Sequence, residues 1–185
     1  MSTAQQAQQA PTVAGPFAAS LNQFVPESKV PWFEAGFLGV IVVNRCLWKT
    51  IRAGGNALIV EFTVESCAKT GRFPPPVGAA PGTLGPIDDT PPGSQRSWFQ
   101  SMKEERTGWD SASLFLYAAM GYDPNSVKVK QEVEPKRADL LNAAVSAANI
   151  LKAQRVMLET ALIKTKKGTD FTKYIFSVAP PIVGQ

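Results

Sequence analysis

The chain has 185 residues, 44% hydrophobic and 18% charged, with a formal net charge of +4. That length suits one domain of roughly 100 to 150 residues plus tails. It contains no histidine, which removes the commonest general base near neutral pH and the usual ligand of catalytic zinc, so most familiar hydrolase mechanisms become hard to build and no cofactor is expected.

Residues 1–35 read as a flexible N-terminal arm. The first 20 are rich in Gln, Ala, Ser, Thr and Pro and uncharged, a composition that buries too little to order itself. The opening MSTAQQAQQA has neither the basic nor the apolar region of a signal peptide, and no apolar run approaches the roughly 18 residues that span a bilayer. The expectation is a cytoplasmic protein without a membrane partner. Pro26 and Pro31 interrupt the approach to Trp32-Phe33, which either caps the domain or mediates self-association.

The domain proper is expected over 36–178. Gly36 to Trp48, GFLGVIVVNRCLW, predicts a long apolar strand, and NALIVEFTVESC from Asn56 predicts a second. In the second, Leu58, Val60, Phe62 and Val64 alternate with Ile59, Glu61, Thr63 and Glu65, so one face packs and the other meets solvent. Gly54-Gly55-Asn56 turns the chain between them, with Lys49 and Arg52 beside Trp48 at a basic, aromatic tip. Cys46 and Cys67 are spaced unlike any zinc motif and read as reduced, small residues.

Residues 73–93 hold seven prolines and read as a long loop that sustains neither helix nor central strand. Ser94 to Met102 predicts a third strand with Arg96 and Trp98 on one face. The segment 110–151 is expected to be helical: Asp110 as N-cap of SASLFLYAAM, Gly121 as its stop, and a second helix from Pro135 with Leu140, Leu141, Ala144, Val145, Ala148 and Leu151 on one side. Trp109 and Phe62 read as packing residues.

Arg155 to Val178, RVMLETALIKTKKGTDFTKYIFSV, predicts the last two strands. Val156, Leu158 and Leu162 recur at period two, and Phe171, Tyr174, Ile175 and Phe176 are strand-favouring residues. Lys166-Lys167-Gly168 makes the turn and gathers Lys164, Lys166, Lys167 and Lys173 at one tip. Phe171 and Tyr174 have opposite parity, so both cannot face one groove without a bulge. Residues 179–185 form a short tail.

The order of elements is strand, strand, strand, helices, strand, strand, with a mainly β content. It predicts a five-stranded OB-like barrel, which binds nucleic acid through the face of strands two and three, flanked by the loop between strands one and two and the loop between strands four and five. Those loops are the two basic tips, which are expected to converge on one groove. Charge is distributed accordingly: residues 152–173 carry six Lys/Arg against two acids, and 40–73 five against two, whereas 74–151 hold seven basic and nine acidic groups. A nucleic-acid face with cations Lys49, Arg52, Arg96, Lys164, Lys166, Lys167 and Lys173, and stacking aromatics Trp48, Trp98, Phe171 and Tyr174, follows from that pattern.

In GFLGVIVVNRCLWK, ALIVEFTVESC and AQRVMLETALIKTKKGTDFTKYIFS the chain resembles phage-encoded single-stranded DNA-binding proteins of OB type, over roughly 36–66 and 94–178. The resemblance implies that Lys164, Lys166, Lys167, Phe171, Lys173 and Tyr174 contact single-stranded DNA. It also implies a role in phage replication or recombination in the host cytoplasm, with replication or recombination proteins as partners. Many such proteins end in an acidic tail, whereas this chain ends APPIVGQ.

Two other classes stand beside this one. A structural virion or assembly protein would self-associate into homo-oligomers without nucleic acid. A nuclease would need Asp88-Asp89, Glu104-Glu105 or Asp110 to hold magnesium, but adjacent acids in loops are ordinarily solvated, and the chain is expected to be no enzyme.

Overall fold

The computed structural model describes residues 30–51, 55–102, 105–124, 126–164, 168 and 170–182. Among the described residues seven strands form: β1 (Leu38–Thr50), β2 (Asn56–Lys69), β3 (Gly71–Arg72), β4 (Ile87–Asp88), β5 (Gln95–Ser101), β6 (Arg155–Lys164) and β7 (Asp170–Val178). Two α-helices, α1 (Glu105–Ala119) and α2 (Arg137–Val145), lie between β5 and β6. The main sheet is five-stranded and antiparallel in the order β5-β2-β1-β6-β7, and β3 pairs with β4 in a separate two-stranded ladder.

The alternation in β2 holds in direction, but its outer face is less exposed than expected: Glu61 is buried and Ile59 and Thr63 are half-buried. Leu58, Val60, Phe62 and Val64 are buried, while the opposite face carries a row of cross-strand pairs. Arg45, level with Glu61 across β1 and β2, grips its carboxylate through Nε and Nη2 at 2.5 and 2.9 Å. Asn44 and Thr63 exchange hydrogen bonds at 3.0 and 3.1 Å, and Arg155 reaches Glu65 at 2.8 Å. These pairs neutralise the charge of a sheet face that is only partly solvated, Glu61 being buried in it. In β1 the register shifts near Gly39, Val40 and Val43, and such bulges add bend and twist to a strand. Cys46 lies opposite Val60 and Cys67 opposite Gly39, far apart along one ladder, and both thiols are free. Burial pushes the Cys46 thiol up to about 12, so it packs as a small apolar group.

Helix α1 begins at Glu105 and contains Asp110, which is exposed, so Asp110 is not its N-cap. An acid in the opening turns meets the positive end of the helix dipole, and the same residue type therefore marks either position. Ala112, Phe115, Leu116 and Ala119 form its buried stripe, and it packs on β7, β5 and β6. Gly121, at φ +78°, ends it as expected. Before α2 the chain makes a π-helical turn (Val129–Val133) and a 3₁₀ turn (Glu134–Lys136) containing Pro135, whose missing N–H disrupts a regular α ladder. Helix α2 stops at Val145, short of the expected Leu151. There Ser146 is extended and its hydroxyl donates to the Ala143 carbonyl at 2.7 Å. Ala153 then bonds Val43 and leads the chain into β6.

The sheet's two edge strands, β5 and β7, are joined by no ladder among the described residues. Side chains bridge them instead: Trp98 of β5 meets Phe176 of β7 edge-on at 4.7 Å between centroids, and Phe115 of α1 stacks into both at 5.5 and 5.2 Å. The segment Val30–Gly36 completes the bridge as a strap. Ser97 N–H donates to the Pro31 carbonyl, Trp32 forms a parallel bridge with Ser97, and Gly36 N–H donates to the Thr160 carbonyl. The buried Thr160 hydroxyl accepts from Phe37 N–H at 2.9 Å and donates to the Glu34 carbonyl at 2.6 Å. Val30 to Ala35, assigned from sequence to a flexible arm, are thus part of the folded domain; the rest of that arm lies outside the described residues. Thr160→Val should lower unfolding stability by about 1–3 kcal/mol in a urea titration, because it leaves the Phe37 N–H buried without an acceptor.

Candidate nucleic-acid interface

The gap between β5 and β7 holds a groove of about 440 Å³, so this recess lies between the third and fifth long strands and not on the expected face of the second and third. Its walls are Phe99 and Gln100 on one side and Asp170 to Tyr174 on the other, with Trp98 and Phe176 on the floor. Trp32 and Phe33 of the strap and Leu114 of α1 line it as well. The strap's alternation explains the division of labour: Phe33 turns into the core at 2% exposure, while its neighbour Trp32 is 54% exposed and lies 5.6 Å from the Phe99 ring. Across the groove Phe171 is also 54% exposed.

The residues singled out by sequence divide into three sets. Phe171, Lys173, Tyr174 and Trp98 all border this one groove, Phe171 and Lys173 from one face of β7 and Tyr174 from the other, with no bulge between them. Phe171 and Lys173 are exposed, and Lys173 makes no ion pair among the described residues. Tyr174 lies on the opposite face of β7, part-buried, its hydroxyl donating to the Phe33 carbonyl at 3.0 Å. Burial pushes that hydroxyl far above the ordinary tyrosine range, so it remains a donor that holds the strap. Lys164 is exposed and sits 2.9 Å from Asp170, which offsets an acid at the groove's rim.

Trp98 and Arg96 are corrections. Trp98 is 2% exposed and belongs to the aromatic core, so it offers no free face for stacking. Arg96 is buried, and its guanidinium binds the Asp88 carboxylate at 3.0 Å and the carbonyls of Gln95 and Asp89. Desolvating an arginine demands such a partner, and a strand pattern does not show which cations will be claimed.

The third set lies elsewhere. Trp48 packs partly against the core and Lys49 is half-buried beside it; Arg52, Lys166 and Lys167 lie outside the described residues. Leu38 pairs with Glu159 and Val42 with Arg155, so the β1–β2 tip and the β6–β7 tip project from opposite ends of β1. The ladder sets them apart rather than side by side, contrary to their expected convergence. Trp32, Phe99 and Leu114 were missed as groove residues. For Trp32 a signal existed in the Trp-Phe pair after Pro31, but its neighbour across the gap depends on the fold.

The groove also holds Glu34, whose carboxyl is raised above its ordinary value by burial and, secondarily, by the charge of Asp88. Among the described residues no group of three His, Cys, Asp or Glu side chains could hold a metal ion, and no helix is long and apolar enough to cross a membrane. No protein-family model matches the chain, and no curated protein matches it.

Two measurements probe this layout. Trp98→Ala should cost about 3–5 kcal/mol of unfolding free energy as a core aromatic, while Phe171→Ala should change it by no more than about 1 kcal/mol. A raised folded-state carboxyl means that Glu34 destabilises the fold once ionised. Its contribution is fully favourable below pH 4.5, the unfolded value, and is lost as pH rises through the folded one. Glu34→Gln should therefore raise the thermal midpoint at neutral pH and leave the wild-type difference smaller in acid.

Proposed function

We propose that the protein binds single-stranded DNA without strong sequence preference, as an OB-like domain whose groove lies between β5 and β7. The observation that carries this reading is the pair of exposed aromatics, Trp32 and Phe171, flanking one groove with the exposed cation Lys173. Stacking platforms beside cations are what sequence-tolerant single-strand binding requires, because every base has a π face and every nucleotide a phosphate. Lys164, paired with Asp170 at 2.9 Å, stands at the end of the same hairpin. The strand order, two hairpins with helices inserted before the fourth long strand, supports an OB-like architecture, and a partly open barrel is within its range. Binding in this way would protect single strands during phage replication or recombination.

A second reading has its own observation. The β6–β7 hairpin runs past the end of its pairing with β1 and exposes Leu162 (61%), Ile163 (40%) and Phe171. An uncovered apolar ribbon is what a self-associating assembly protein would use.

Anisotropy of a labelled oligo-dT and of the matching duplex, across a salt series, separates the two. The DNA reading requires preference for the single strand with affinity that falls steeply with salt. Trp32→Ala and Phe171→Ala should each weaken it roughly 5- to 150-fold, the equivalent of about 1–3 kcal/mol per stacked base. Lys164, Lys166 and Lys167 changed together to Glu should abolish it. Folded protein that ignores the oligonucleotide at low salt, yet sediments as an oligomer, would leave the assembly reading in its place.

A further inference from the structure

The proline-rich loop between β3 and β4 takes no part in the groove, and its geometry points to a different partner. We propose that Phe73 to Val77 is a polyproline II ligand for a separate protein module whose binding groove is lined by aromatic side chains.

Covalent chemistry alone sets the conformation. Pro74, Pro75 and Pro76 follow one another; each ring fixes its own φ and bars the preceding residue from the α region, so the backbone from Phe73 onward is held extended. The three prolines have no N–H, so the segment cannot add to a sheet edge by donating hydrogen bonds. Docking against aromatic faces remains the recognition mode suited to it.

The fold displays this segment on a clamped stem. Gly71 pairs with Asp88 and Arg72 with Ile87. Phe73 N–H donates to the Pro86 carbonyl at 2.9 Å, and the Arg72 guanidinium donates to the Gly85 carbonyl at 3.0 Å. A side chain at Gly85 would collide with the Phe73 carbonyl, so the two arms of the stem are pressed together. The buried Arg96–Asp88 ion pair ties that stem to β5. Beyond it, turns closed by Ala79 N–H to Pro76 and Thr83 N–H to Ala80 reverse the chain.

Every residue from Arg72 to Leu84 is exposed, including Phe73 at 44% and Val77 fully. None of these residues lines the aromatic groove, so the loop leaves it open. Residues 73–87 carry no charge, which separates this surface from any polyanion site: the ligand is apolar, pre-extended and costs little entropy to fix.

The test titrates the full chain with purified SH3, WW and EVH1 domains, three module types that grip polyproline II helices with aromatic grooves. One class should bind saturably, with affinity unchanged between low and high salt. The variant carrying Pro74→Ala, Pro75→Ala and Pro76→Ala should lose at least about tenfold in affinity, and Val77→Asp should weaken it too, with unfolding midpoints and oligo-dT binding as in the wild type. Failure of all three classes to bind, or binding unaffected by the proline changes, overturns the proposal. Self-association that the proline variant abolishes would place the receptor on a second copy of the chain and overturn it as well.

Discussion

A curled antiparallel sheet with two free edges exposes rows of unpaired N–H and C=O groups, and the rest of this molecule is arranged around that constraint. Edges β5 and β7 face each other without pairing. Trp98, Phe115 and Phe176 fill the inner half of the gap with one aromatic cluster. The strap from Val30 to Gly36 covers the outer half, satisfying Ser97 on one edge and Thr160 and Tyr174 near the other. The groove is what remains uncovered, so the same deficit of pairing that could make the sheet sticky creates this aromatic recess.

Electrostatics follow from the same economy. Three arginines that count toward the positive charge, Arg45, Arg96 and Arg155, bind Glu61, Asp88 and Glu65. Their role is to allow β-sheet faces and a loop stem to carry acids close to the core. The exposed cation Lys173 is left on the groove's β7 wall, with Lys164 at the hairpin's end. Proposed DNA contacts therefore rest on few residues, fewer than the Lys/Arg count of these segments suggests.

Two appendages leave the sheet with different chemistries. The β6–β7 hairpin is basic and apolar together, with Leu162 and Ile163 beside Lys164. The β3–β4 loop is uncharged and rich in proline. On the two proposals made above, a salt-sensitive partner would meet the first and a salt-insensitive one the second, at separate surfaces.

The amino-acid sequence by itself determined the local elements, because period, propensity and turn chemistry act over neighbouring residues. The alternation in Leu58 to Glu65, the positive φ of Gly168 and the stop at Gly121 are examples where chain chemistry leaves little choice. It also determined that Phe171 and Tyr174 oppose each other, since parity along a strand is geometric. Only the tertiary structure decided what each exposed-looking residue would meet. Trp98 and Arg96 sit on a strand like Phe99, yet their side faces the core and Asp88, while Phe99 looks into the groove beside Trp32. That distinction depends on which way the sheet curls and on a strap more than 60 residues away in the chain. Contacts of that kind are set by long-range packing energies, which leave no periodic mark in the residues that make them.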